Sequence, residues 1–200
     1  MARHPKGRSV GTAQAKRKGR NFPGRRGFSL AQARSARHAC GMPRRPSISV
    51  RQAVPADLDA LLALERASFE GDRISRAQWR RHIGSATAAV LVVGDAASGI
   101  DAAAVVFYRR NSRTARLYSL AVAMHARGAG LGRTLLAASE ADARVRGCES
   151  LRLEVRVYNA PAIALYERHG YVRGSRIPGF YEDGADAWRY LKRLTTVSHE

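Results

Sequence analysis

Beyond residue 47, apolar positions recur in two rhythms, every second residue and every third to fourth, which predicts short strands alternating with helices. Ile48 to Ala53 alternates as a half-buried strand. Pro55-Ala56-Asp57 opens a helix on which Leu58, Leu61, Leu62 and Phe69 recur at helical spacing. A second, shorter helix follows Ser75. Ala88 to Val93 and Ala102 to Tyr108 read as strands of an antiparallel meander with Asp95 to Gly99 as the turn, and Thr114 to Val122 is the next strand. Gly132 to Arg146 is helical, with Leu135, Leu136 and Ala143 on one face and Gly147 as its stop. Leu151, Leu153 and Val155 alternate as a strand, and Pro161 to His169 is a helix closed by Gly170. Strands near Tyr171 and over Ala187 to Leu191 finish the chain. The order is βααβββαβαββ, a mixed α/β pattern without internal repeats.

The first 46 residues carry neither rhythm. They hold 13 basic and no acidic residues, against 22 basic and 16 acidic in the rest, so the net +19 divides into +13 and +6. Rich in Arg, Gly, Ser and Pro, this leader has too little apolar surface to offset the entropy of ordering it and is expected to be disordered. Its charge fits weak association with nucleic acid or the ribosome through phosphate contacts. It equally fits a translated upstream stretch with no role, since Met42 stands just before the first strand. Its acid-free composition is also that of an organellar transit peptide, but it lacks a sustained amphipathic period. The expected layout is a basic leader over 1–46, a folded domain over 47–194 and a short tail over 195–200. The longest apolar runs, such as Ala102 to Tyr108, fall far short of the ~18 residues that cross a bilayer, so no membrane span is expected. Cys40 and Cys148 belong to no Cys-x-x-Cys pair or Cys/His cluster. They read as reduced thiols of a cytoplasmic protein with no metal, Cys148 acting as a small apolar side chain.

The chemistry concentrates in two segments. Leu120 to Arg133 runs from a strand through a glycine-rich turn, Arg127-Gly128-Ala129-Gly130-Leu131-Gly132-Arg133, into a helix. Such a turn offers backbone N–H groups and a positive helix end to a phosphate, Gly130 and Gly132 let the backbone approach, and Arg127 and Arg133 add charge. A dinucleotide site of the Rossmann kind makes the same demand, and Glu154, 22 residues after Gly132, stands at its acidic spacing. The second segment, Arg152 to Tyr171, places a carboxylate in a strand (Glu154), an Asn at a helix start (Asn159) and a Tyr on that helix (Tyr166).

Together the two segments resemble the GNAT superfamily of acyl-CoA-dependent N-acyltransferases, and within it the bacterial ribosomal-protein alanine N-acetyltransferases. Arg-x-x-Gly-x-Gly at 127–132 and Asn-x-x-Ala-x-x-Leu-Tyr-x-x-x-Gly-Tyr at 159–171 stand in that family's order and spacing, and the likeness covers about residues 48–193. It implies a mixed, mostly antiparallel sheet flanked by helices and splayed between its central strands. Acetyl-CoA would be the co-substrate, with its pantetheine arm against Leu120, Ala121 and Val122 and its pyrophosphate on Arg127 through Arg133. Asn159 would touch the amide region and Tyr166 would lie near the sulfur. By the same resemblance Glu154 is the general base and Tyr166 the general acid.

Amine acetylation needs such groups in any case. A protonated amine must lose a proton before it attacks a thioester, and the departing thiolate gains from a nearby phenol. Each residue also has a plainer reading: Glu154 as a solvated strand carboxylate in ion pairs, Tyr166 as core packing. His125 and His169 match no catalytic position of the family and read as surface or capping residues. The acceptor side departs from the closest pattern. Phe69-Glu70-Gly71-Asp72-Arg73 replaces a Phe-Pro-Trp segment, and the late hairpin Pro178 to Asp186 is shortened. Phe69, Tyr181 and Glu182 are the candidate acceptor contacts, with Asp183 and Asp186 adding negative charge that would attract a cationic amine or simply solvate a turn. The expected function is acetyl transfer to a protein N-terminal or lysine amine. A small-molecule amine acetyltransferase and a non-catalytic acyl-CoA-binding module are the alternatives, in a monomer or homodimer.

Overall fold

The alternating segments pair into one seven-stranded sheet. In the computed structural model, which describes residues 48–194, the strands are β1 (Val50–Gln52), β2 (Ala88–Asp95), β3 (Gly99–Phe107), β4 (Thr114–Val122), β5 (Ser150–Arg156), β6 (Val172–Ile177) and β7 (Ala187–Arg193). The helices are α1 (Leu58–Ser68), α2 (Arg76–His82), α3 (Leu131–Val145) and α4 (Ala160–Arg168). The strand order is β1-β2-β3-β4-β5-β7-β6, antiparallel throughout except for the parallel pair β4–β5 that α3 connects. The expected mixed fold and element order are therefore observed. The leader, Cys40 and the tail over 195–200 lie outside the described residues.

Several boundaries differ from expectation: β2 runs on to Asp95 and β3 begins at Gly99 rather than Ala102, and the start of the domain changes as well. β1 spans three residues rather than Ile48–Ala53, because the Val54 N–H donates to the Asp57 carboxylate at 2.8 Å and turns the chain into a 3-10 turn over Pro55–Asp57. The first helix therefore begins at Leu58 and ends at Ser68. Phe69 follows outside the helix in an extended conformation (φ −132°, ψ 137°), yet its side chain still packs against the α1 core. α2 starts at the Ser75 and Gln78 capping pair, as its position after Ser75 predicts.

The helices cover the sheet unequally. One core, between the sheet and α3 and α4, includes Leu135, Leu136 and Ala143 of α3, Leu151, Leu153 and Val155 of β5, and Tyr190 of β7. Leu135 and Leu136 are fully buried, each contributing about 1.5–3 kcal/mol relative to an exposed side chain. The second core packs α1 and α2 on β2, β3 and β4, with Leu61, Trp79, Val92 and Val105 at its centre.

β4 changes face part-way along. Its register against β3 slips between Val105, paired with Ser119, and Val106, paired with Leu117, which leaves Tyr118 as an inserted residue. Because strand side chains alternate, one inserted residue reverses every later one. Ala115 and Leu117 accordingly face α3, whereas Ala121 joins the α1 core, and Leu120 and Val122 return to the α3 side. β4 and β5 pair only from Thr114 with Ser150 to Leu117 with Leu153. Beyond the bulge the two strands diverge, and half of the backbone groups of Tyr118 to Val122 point away from β3 toward no strand.

Candidate active site

A cavity of about 910 Å³ opens where β4 and β5 part. The wall includes Leu120 from β4, Glu154 and Arg156 from β5, Asn159 and Tyr166 from the start and middle of α4, Phe69 after α1, and Tyr181 and Glu182 from the β6–β7 loop. Residues from two distant segments and from both sides of the sheet thus meet in one space.

The turn that follows β4 stands at the edge of this divergence. Gly130 adopts φ 84° at the residue before α3, a left-handed conformation that an L side chain rarely takes, and Gly128 has the same φ. The first-turn amides of Leu131, Gly132 and Arg133 have no carbonyl four residues back within the helix, so they point out of it as donors. Arg127 and Arg133 are exposed and pair with no carboxylate among the described residues; Arg127 donates from Nε to the Val122 carbonyl at 3.4 Å. Free amides, a helix N-terminus and two unpaired guanidinium groups fit a phosphate-rich group such as the CoA pyrophosphate. Gly132 plays a part that its spacing alone does not give. A Cβ there would lie 3.4 Å from Leu165 Cδ2 and 3.8 Å from both Leu120 Cδ2 and Val122 Cγ2. Its missing side chain lets α3 sit close to β4 and α4, whereas Gly130 would meet nothing within 4 Å and is needed for its conformation. Ala121 and Val122 are not on the cavity wall; Ala121 is buried in the α1 core.

Glu154 faces the cavity with 3% of its side chain exposed. Both oxygens are held: Arg116 Nε donates to Oε2 at 2.8 Å, while Arg152 Nη1 and Arg189 Nε donate to Oε1 at 2.8 and 3.2 Å. The ion-paired reading of this carboxylate is thus partly right, but the group is enclosed rather than solvated. Tyr166 is buried, with its ring against Tyr171 and Tyr190. Burial, with a smaller contribution from Tyr181, pushes its phenol above the ordinary value, so it stays protonated. The Asn159 Oδ1 accepts from the Ala162 N–H at 3.3 Å and so caps α4, leaving its amide nitrogen as the half able to reach a ligand.

On the acceptor side, the acids divide in a way the sequence did not reveal. Asp186 accepts from Arg176 Nε and from the Gly179 N–H, and Asp183 accepts from Arg156 and from the Ala185 N–H. Both are therefore already paired, Asp186 with Arg176 of β6 and Asp183 with Arg156 of β5, while the Glu182 side chain has no ion-pair partner among the described residues. Asp72, in a left-handed conformation (φ 52°), accepts from Arg156 Nη2 at 2.9 Å and from the Glu182 N–H at 3.1 Å. Arg156 also lies 3.9 Å over the Tyr181 ring. This clasp ties the α1–α2 loop to the β6–β7 loop across the cavity mouth. His125 bonds exposed Asp101 and His169 bonds the Leu165 carbonyl, both away from the wall.

Residues 58–171, more than half of the chain, match the acetyltransferase (GNAT) family. The chain belongs to the GNAT family. Its resemblance at 127–132 and 159–171 is thereby accounted for, and acetyl-CoA is the co-substrate of that family. A protein named N-alpha-acetyltransferase from Saccharolobus solfataricus is 40% identical over 83 residues, 41% of this chain and 50% of that protein. The chain spans about half the length of the curated relatives it matches. The ribosomal-protein-S18-alanine N-acetyltransferase of Escherichia coli superposes with TM-score 0.65 at 24% identity, over 76% of this chain and 97% of that one. The ribosomal-protein-alanine N-acetyltransferase of Brucella melitensis gives TM-score 0.63 at 27% identity, over 74% and 100%. Among the described residues no group of His, Cys, Asp and Glu has the arrangement of a metal site, and no helix is long and apolar enough to cross a membrane.

Arg116, Arg189 and Asp72 had no assigned part in the sequence, and Arg152 and Arg156 stood there only as the flanks of Glu154 in its ion-paired reading. The alternation Arg152, Glu154, Arg156 put all three on one face of a strand, which was the available signal. Nothing in the sequence joined Arg156 to Asp72 across 84 residues.

Proposed function

We propose that this GNAT protein transfers the acetyl group of acetyl-CoA to the N-terminal amine of a polypeptide in one direct step. The divergence of β4 from β5 carries this reading, because it opens a cavity whose wall holds the Glu154 carboxylate and the Tyr166 phenol, beneath the clasp. The acetyl thioester supplies the electrophilic carbonyl. Leu120 to Val122 offer unpaired backbone groups to the pantetheine arm and a donor to that carbonyl. Glu154 takes the proton from the acceptor ammonium, directly or through one water. Oε2 accepts from Arg116 alone and keeps a second lone pair for that proton, and on Oε1 the contact from Arg189, the longest of the three at 3.2 Å and 44% exposed, is the one to yield. The amine nitrogen bonds to the carbonyl carbon, the carbon–sulfur bond breaks, Tyr166 gives its proton to the departing thiolate, and the second proton of the attacking nitrogen returns to the phenolate, directly or through water. Phe69 and Tyr181 form the walls against the acceptor, and Glu182 holds its charge near the entering ammonium. The buried, reduced Cys148 and the use of acetyl-CoA fit a cytoplasmic site of action.

Labelled acetyl-CoA offered with peptides bearing free N-termini, with N-terminally blocked lysine peptides and with polyamines tests the reading. Label is expected on the free N-termini. Label confined to polyamines would replace the polypeptide acceptor with a small amine.

A further inference from the structure

Among the described residues, only half of the sheet is covered on the α1 side. The core beneath α1 and α2 draws on β2, β3 and β4 and takes no residue from β5, β6 or β7 among the described residues. On this bare face Arg116 of β4 stands beside Arg152 of β5, which stands beside Leu191 of β7. One row nearer the cavity Glu154 stands beside Arg189, and at the far end Ser150 stands beside Arg193. Arg116, Arg152 and Arg189 share the single carboxylate of Glu154, and Arg193 is exposed with no ion pair among the described residues. Burial and the charges of Arg116, Arg189 and Arg109 together pull the Arg152 guanidinium below its ordinary value, against the opposing effect of Glu154. The face is over-positive, and it runs without a break into the acceptor side of the cavity, since Arg116 and Glu154 belong to both.

We propose that this face holds the acceptor polypeptide downstream of its reacting amine, and that it selects chains with acidic side chains at about the third to fifth residues. The inference rests on the acceptor being a polypeptide N-terminus. Arg189 and Arg193 are four strand residues apart, about 13 Å at ~3.3 Å per residue, and an extended acceptor rises at the same rate. A chain that places its amine at Glu154 therefore brings its third residue past Arg152 and its fifth to Arg193. Its ammonium meets the carboxylate of Glu182 while its acids meet the arginines, so the charge pattern also fixes the direction of entry. Exposed Leu191 and Val172 (43% and 70%) lie among the arginines and suit the apolar parts of peptide side chains. A nucleic acid fits less well, because the patch is short beside the run of 6–10 phosphates that gives such complexes their affinity.

The test uses the full chain, saturating acetyl-CoA and three peptides with the same free N-terminal residue, carrying Glu, Gln or Lys at positions three and five. The expected order of kcat/KM is Glu above Gln above Lys, with Glu about threefold to tenfold over Gln at low salt and the gap closing at high salt. Arg193→Glu should narrow that gap with acetyl-CoA affinity unchanged, and Arg193→Lys should restore it. Equal kcat/KM for the three peptides, or a gap that Arg193→Glu leaves intact, overturns the inference alone. Acetylation of none of them overturns the polypeptide acceptor and the inference with it. Inhibition by single-stranded RNA without any preference among the peptides would assign the face to nucleic acid and also overturns it.

Discussion

Replacing Glu154 by Gln keeps the side chain's shape and removes the charge that three arginines share. Gln offers one acceptor oxygen and turns an amide NH2 toward the guanidinium groups on its other side. At least one of the contacts at 2.8 Å, from Arg116 or Arg152, is then lost. Hydrogen bonds to charged groups are worth about 1.5–3 kcal/mol, and the Glu154 side chain is 3% exposed, so the domain should lose about 2–4 kcal/mol. That lowers Tm by roughly 5–15 °C and leaves a domain of ordinary stability folded. A general base contributes about 10²–10⁴ in rate, so kcat should fall by that much. Acetyl-CoA affinity should hold, because no atom of Glu154 belongs to the turn at residues 127–133. Thermal melts, calorimetry with acetyl-CoA and a pH–rate profile on a free-amine peptide separate these effects. The variant's residual rate should climb with pH as the amine deprotonates unaided. A Tm that falls while kcat stays within about threefold of the parent would refute the base role and leave Glu154 as a tie for the arginines.

Three further changes probe other parts of the site and fold. Gly132→Leu places a branched side chain where a Cβ alone is already 3.4 Å from Leu165; overpacking of about 1–3 kcal/mol should push α3 from β4 and cost at least about tenfold in acetyl-CoA affinity, read by calorimetry. Arg156→Gln opens the clasp between Asp72 and Asp183; acceptor KM should rise about tenfold with acetyl-CoA affinity intact, and an unchanged KM would remove the clasp from acceptor binding. Asp57 lies below its ordinary 3.8, chiefly because Arg51 donates to it, and its side chain is 1% exposed. A lowered folded-state value gives stability present above pH ~4 and lost as pH falls further. Asp57→Asn should therefore cost about 1.5–3 kcal/mol at pH 7, with the gap between parent and variant melts closing below pH 4.

The element order was legible because it rests on periodicity, and each core needs its apolar stripe. The bulge at Tyr118 was not, since nothing local in Thr114 to Val122 marks where the register slips; it follows from how β3 and β5 pack on either side. Glu154 and Tyr166 stood out through the resemblance at 127–132 and 159–171, whereas the residues alone read equally as an ion-paired strand carboxylate and core packing; the glycine-rich turn stood out by its own composition. Gly132 was found for an incomplete reason, because its close approach to Leu165 depends on α4 folding back over α3. The acceptor side was hardest to read. Whether Asp183, Asp186 and Glu182 are free or paired depends on arginines and turn amides that come together only on folding, and the clasp joins residues far apart in the chain.

In the proposed reaction an amine and an acetyl thioester meet between β4 and β5. A bisubstrate compound, joining CoA through an acetyl bridge to the α-nitrogen of a peptide, places both partners in one ligand. Its affinity should exceed that of CoA or the peptide alone by about 10² or more, and the same peptide joined through a lysine side chain should gain far less. A bisubstrate that binds no tighter than CoA itself would contradict the direct meeting of amine and thioester in this cavity.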